Sequence, residues 1–167
     1  SYSSDEETRI READFLRFEI NEIEAAELKE GEEEELARSY RRFMNSRKIA
    51  EALSSAYEAV NGADISAALK GVEEASEYDK GLEEIRNQLY DAEAILNDVS
   101  HGISAYVDDM TFDEEEFQRI EERLDFIRNL QAKYKGSVRD ILSGLEEKRK
   151  RLEELENFDQ LKQKAEE

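Results

Sequence analysis

The strongest constraint on this chain is a run of apolar residues that keeps helical spacing without a miss. Leu82, Ile85, Leu89, Ala92, Leu96, Val99, Ile103, Tyr106 and Met110 alternate by three and four across residues 82–110. An alternation sustained over about four heptads specifies a helix that packs along its length against other helices. No segment shows the two-residue alternation of a half-buried strand. The 167 residues include no proline, and 41% of them are Asp, Glu, Lys or Arg. A globular chain of this length normally has prolines in its loops and a larger apolar share. The fold expected is all-α: an elongated antiparallel coiled coil with a distal helical bundle.

Caps and glycines divide the remainder. A first helix is expected over 5–29, capped by Ser4 or Asp5 and ended by Glu30-Gly31, with Gly31 in the left-handed position after the helix. Its apolar residues Phe15, Leu16, Phe18, Ile20, Ile23, Ala26 and Leu28 make a stripe too broad for one partner. A second helix, 33–60, is led by the acidic run Glu32–Glu35 and stops at Asn61-Gly62. Asp64 caps a short helix over 64–76, and Asp79 caps the heptad helix over 80–110. Asp113 and Glu116 form a capping box before a helix over 114–135, which Gly136 ends. Ser137 and Asp140 form another before a last helix over 138–166.

This pattern suggests a single arm domain over 1–167. Residues 5–31 pair with 136–166 as a proximal arm, and 33–135 form the distal bundle. Gly31 and Gly136 then lie side by side as candidate flexion points. An antiparallel pairing also sets the basic cluster Lys148-Arg149-Lys150-Arg151 along the acidic first helix. Exposed pairs of that kind set register more than stability.

Little in the composition invites chemistry. With no cysteine there is no disulfide framework and no thiolate metal site. His101 is the one histidine, and no Gly-rich phosphate loop or paired nucleophile and base is present. Neighbouring carboxylates on a helix point about 100° apart, so Glu32–Glu35 reads as a solvated helix start and no metal site. The net charge of −20 opposes nucleic-acid binding over the whole surface. Arg38, Arg41 and Arg42 are spaced to share a helix face, and with Arg47 they are the candidate DNA contact. No apolar run approaches the roughly 20 residues that span a bilayer, so no membrane role is expected. The start at Ser1-Tyr2-Ser3-Ser4, without an initiator methionine, fits a piece of a larger protein.

Several ordered stretches resemble the RecN family, bacterial double-strand-break repair proteins related to SMC ATPases. They are the stretch from Phe18 through Gly31 to Leu36, then Ala50-Glu51-Ala52-Leu53, Tyr78-Asp79-Lys80-Gly81-Leu82, and Arg119 through Glu-Arg-Leu-Asp at 122–125 to Lys133-Tyr134-Lys135-Gly136. Two places depart from the pattern. Ser39-Tyr40-Arg41-Arg42-Phe43 is less arginine-rich than in the family, and Thr111-Phe112-Asp113 lacks its proline. The resemblance implies a coiled-coil arm inserted between the halves of an ABC-type ATPase head. It further implies that this fragment holds no cofactor and is no enzyme, and that the head of the parent protein binds ATP and Mg. Partners implied are DNA through the full-length protein, a RecA-type recombinase, and self-association through arm or tip. The implied location is the bacterial cytoplasm, at the nucleoid. The alternative is a helical scaffold or partner-binding module unrelated to DNA repair.

Overall fold

The computed structural model describes residues 2–166. Among them there are six α-helices, one 3-10 turn and no strand. The helices are α1 (Tyr2–Ala26), α2 (Glu32–Asn61), α3 (Ile65–Ser76), α4 (Glu83–Asp109), α5 (Glu114–Tyr134) and α6 (Val138–Glu166), with the 3-10 turn at Lys80–Leu82. The all-α expectation holds. No helix among the described residues is long and apolar enough to cross a membrane.

The chain folds as two compact units. One takes the residues up to Tyr40 and those from Glu115 onward; the other is Arg41–Glu114. In the first, α1 and α6 run antiparallel. Glu6 pairs with Lys162, Glu12 with Arg151, Arg17 with Glu156, Glu24 with Arg149 and Glu30 with Arg139. From Glu6–Lys162 to Glu30–Arg139 the α6 partner falls as the α1 number rises, with Arg17–Glu156 the one pair out of order, and this is the register that the basic cluster at 148–151 predicts. Beneath these pairs lies one apolar core: Ala13, Leu16, Ile20, Ile23, Ala26 and Leu28, then Ile127 and Leu130 of α5, then Val138, Ile141, Leu145 and Leu155 of α6. The broad stripe on α1 therefore serves two neighbours, α5 and α6. Phe15 and Phe18 are the exceptions to the expected stripe, because both are exposed. Phe15 lies one residue before buried Leu16 and Phe18 two residues before buried Ile20, on the outer face of the helix. Lys133 of α5 sits 5.1 Å over the Phe18 ring.

Two helix limits differ from expectation. Ser4 and Asp5 lie inside α1, which already runs from Tyr2, so neither is its cap. At its other end α1 stops at Ala26, three residues short of Lys29. Leu28 is buried in the core just beyond that end.

The second unit has a thin core, with Leu69 of α3 its one fully buried side chain among the described residues. Asp64 caps α3 by accepting from the Ala67 N–H at 3.2 Å, and Asp79 caps the 3-10 turn by accepting from the Gly81 N–H at 2.9 Å. Tyr90 of α4 donates to the Glu73 carboxylate of α3. Ser100 of α4 donates to Asn61 Oδ1 at 2.8 Å. Phe43 meets Phe112 edge to face, with ring centroids 5.5 Å apart.

Candidate functional site: a braced joint and an open seam

The first unit has two breaks between consecutive helices, and each is built differently from what its glycine suggests. After α1, Glu27 takes the left-handed conformation (φ 49°), and Gly31 (φ +83°) takes it again just before α2. Gly31 thus opens the second helix and does not close the first. After α5 the left-handed residue is Lys135 (φ 54°), and the Gly136 N–H returns to the Gln131 carbonyl at 3.2 Å. That bond is the six-to-one closure of a Schellman turn, with Gly136 one place beyond the left-handed residue. Gly136 is required by space: a Cβ there would lie 2.7 Å from Asp140 Cβ. Asp140 is fixed because it completes the capping box. Its carboxylate accepts from the Ser137 N–H at 3.0 Å, and its own N–H donates to Ser137 Oγ at 3.1 Å. Those bonds to Ser137 hold the Asp140 carboxyl below the usual range.

Arg123 of α5 spans the first break. Its Nη2 donates to the Ala26 carbonyl at 2.8 Å and the Glu27 carbonyl at 3.3 Å, and its Nε donates to Glu32 Oε1 at 2.7 Å. The other Glu32 oxygen accepts from the Lys29 N–H at 3.3 Å. The Arg123 hydrogen bond is the main cause holding the Glu32 carboxyl below its ordinary value. Glu33 is taken up as well, by Gln131 at 3.0 Å and Arg128 at 3.5 Å. The acidic run at 32–35 is therefore split: Glu32 and Glu33 face α5, while Glu34 and Glu35 are exposed. One turn before the joint, Glu22 accepts from Lys133 at 2.8 Å and from the Tyr134 phenol at 2.6 Å. Burial, then Glu22, pushes the Tyr134 phenol well above its usual range.

The four arginines of the candidate DNA contact do not behave alike. Arg38, Arg41 and Arg42 are exposed on α2, and Arg47 is half-buried. Arg47 is ion-paired with Glu114 at 3.0 Å and lies 5.3 Å over the Phe112 ring. It has a structural partner that spacing alone could not reveal. Sequence reasoning also missed Arg123. The available signal was charge complementarity between Glu32–Glu33 and the basic positions Arg123 and Arg128 in an antiparallel register.

In the second unit, the heptad helix is only partly covered. None of its apolar residues is fully buried. Leu89, Leu96 and Ile103 are half-buried, whereas Ile95, Val99 and Tyr106 are 61%, 41% and 59% exposed. Ile95, Val99, Gly102 and Tyr106 follow one another at steps of four, three and four, so they form one stripe on one face. The expected close packing along 82–110 occurs on one flank of α4, and a second apolar flank stays open.

No family model matches the chain. Curated relatives do. It is 29% identical over 162 residues to DNA repair protein RecN of Bacillus subtilis, covering 94% of this chain and 28% of that protein. It is 30% identical over 149 residues to DNA repair protein RecN of Treponema pallidum, covering 84% and 26%. To DNA repair protein RecN of Deinococcus radiodurans it is 30% identical over 162 residues, covering 83% and 28%. The chain spans little more than a quarter of the length of these relatives. Over most of its length, then, this chain is a RecN-type sequence, corresponding to one segment of such a protein.

Proposed function

We propose that the chain is the helical arm of a RecN-like DNA repair protein, serving double-strand-break repair as a spacer and interaction element. The antiparallel α1–α6 pair supplies the two-way shaft, and the open stripe on α4 supplies the contact face. The observation that carries this reading is the stripe Ile95, Val99 and Tyr106, left exposed on a helix with heptad spacing throughout. A heptad helix with an uncovered apolar flank has a docking surface for another helix, and a second copy of the same arm offers the same stripe for a symmetric contact. The mechanism is associative. ATP and Mg belong to a head outside this chain, and DNA is gathered by the whole protein for a RecA-type recombinase. In this reading Arg47 takes no part in DNA contact, since Glu114 already holds it.

The test is genetic. In a bacterium whose RecN-like protein carries this segment, Ile95→Asp together with Val99→Asp should leave the protein at its normal level. Survival after double-strand breaks should fall to that of a strain lacking the protein. Undiminished survival of the doubly substituted strain would contradict the reading.

A further inference from the structure

The break between α1 and α2 is short, largely exposed and interrupts the helical hydrogen-bond ladder, which are the ingredients of a soft joint. The side chains around it argue otherwise. Leu28, in the middle of the turn, is buried in the core. The Glu32 N–H donates to the Lys29 carbonyl at 3.1 Å, and the Glu32 carboxylate accepts from the Lys29 N–H, so the turn closes on itself. Across that closed turn lies Arg123, whose base is fixed because its neighbours Leu124 and Ile127 are both buried. One guanidinium reaches the last carbonyl of α1, the next carbonyl, and the first side chain of α2. A planar fork with several fixed donors can serve carbonyl and carboxylate at once, and charge-assisted bonds of this kind are about twice as strong as neutral ones.

We infer that Arg123 is a latch on the α1–α2 joint. While its guanidinium bridges the end of α1 to Glu32, α1 and the 32–40 part of α2 keep a fixed angle. When that bridge opens, the joint flexes at Glu27 and Gly31, its two left-handed residues. Gly31 permits the bend, and Arg123 holds it. This inference concerns the mechanics of one unit and does not depend on a role in DNA repair.

The chain has no native cysteine, so a spin-label pair can be placed without background. Asn21→Cys on α1 and Glu35→Cys on α2 are exposed positions in the same unit. Double electron–electron resonance on the labelled chain should give one narrow distance distribution. Adding Arg123→Ala or Glu32→Ala should broaden it by about twofold or more with unchanged helical circular dichroism. Arg123→Lys should broaden it too, because one ammonium cannot span all three acceptors. An unchanged width in both alanine variants overturns the latch. If Arg123→Ala lowers the helix content, Glu32→Ala decides the matter alone, since it leaves α5 and its buried residues intact.

Discussion

Ile127→Ala should lower the unfolding free energy of the chain by about 3 kcal/mol, within the range of about 2–5 kcal/mol usual for a buried Ile→Ala. Ile127 is 0% exposed and lies in the same core as Ile23, which is 1% exposed. Around them are Leu130, Val138 and Ile141, supplied by α5 and α6. The void left by the missing methyl groups is walled by helices that the Schellman turn and the capping box hold in place. The walls relax little, so the cavity cost adds to the lost transfer energy. Ile49→Ala is the contrast. Ile49 is an exposed residue of the other unit, and its loss should change stability by less than about 0.5 kcal/mol. Urea unfolding followed by circular dichroism distinguishes the two.

The second large effect belongs to a glycine. Gly136→Ala should cost about 1–3 kcal/mol through overpacking. The added Cβ would meet Asp140 Cβ at 2.7 Å and Asp140 Oδ2 at 2.9 Å. Asp140 cannot swing away without releasing the Ser137 N–H. Because the clash runs from the Asp140 Cβ outward, Gly136→Ala with Asp140→Gly, which removes that Cβ, should destabilise by less than the two single changes added together. Strict additivity in that double-mutant cycle would show that the clash is not the cause. At Gly31 the reasoning changes. A Cβ there meets nothing within 4 Å, so only the left-handed φ of +83° opposes alanine.

Much of this architecture is legible in the sequence, because helices announce themselves by period and cap. The capping box at Ser137 and Asp140, the Asp64 and Asp79 caps, and the pairing of Arg149 and Arg151 with α1 follow from local chemistry. The RecN resemblance, carried by ordered stretches such as Phe18–Leu36, agrees with the curated relatives. What local reading could not supply is competition between distant groups. The end of α1 moved to Ala26 because Leu28 is needed in the core and Arg123 satisfies the freed carbonyls. The left-handed residues after α1 and α5 proved to be Glu27 and Lys135, since the glycines were needed one place or more farther on. Heptad spacing on α4 identified an apolar helix but could not show how many of its flanks have partners. Phe15 and Phe18 carry the same lesson, because a stripe counted by residue type overstates its buried width.

The most direct test of the account is sedimentation equilibrium of the chain across a wide concentration range. The open stripe on α4 predicts a concentration-dependent shift toward twice the chain mass. Ile95→Asp with Val99→Asp should keep the molecule at the monomer mass throughout, with the same helical spectrum. A wild-type chain that stays monomeric at every concentration, or a doubly substituted chain that associates as the wild type does, would contradict the assignment of α4 as the interaction face.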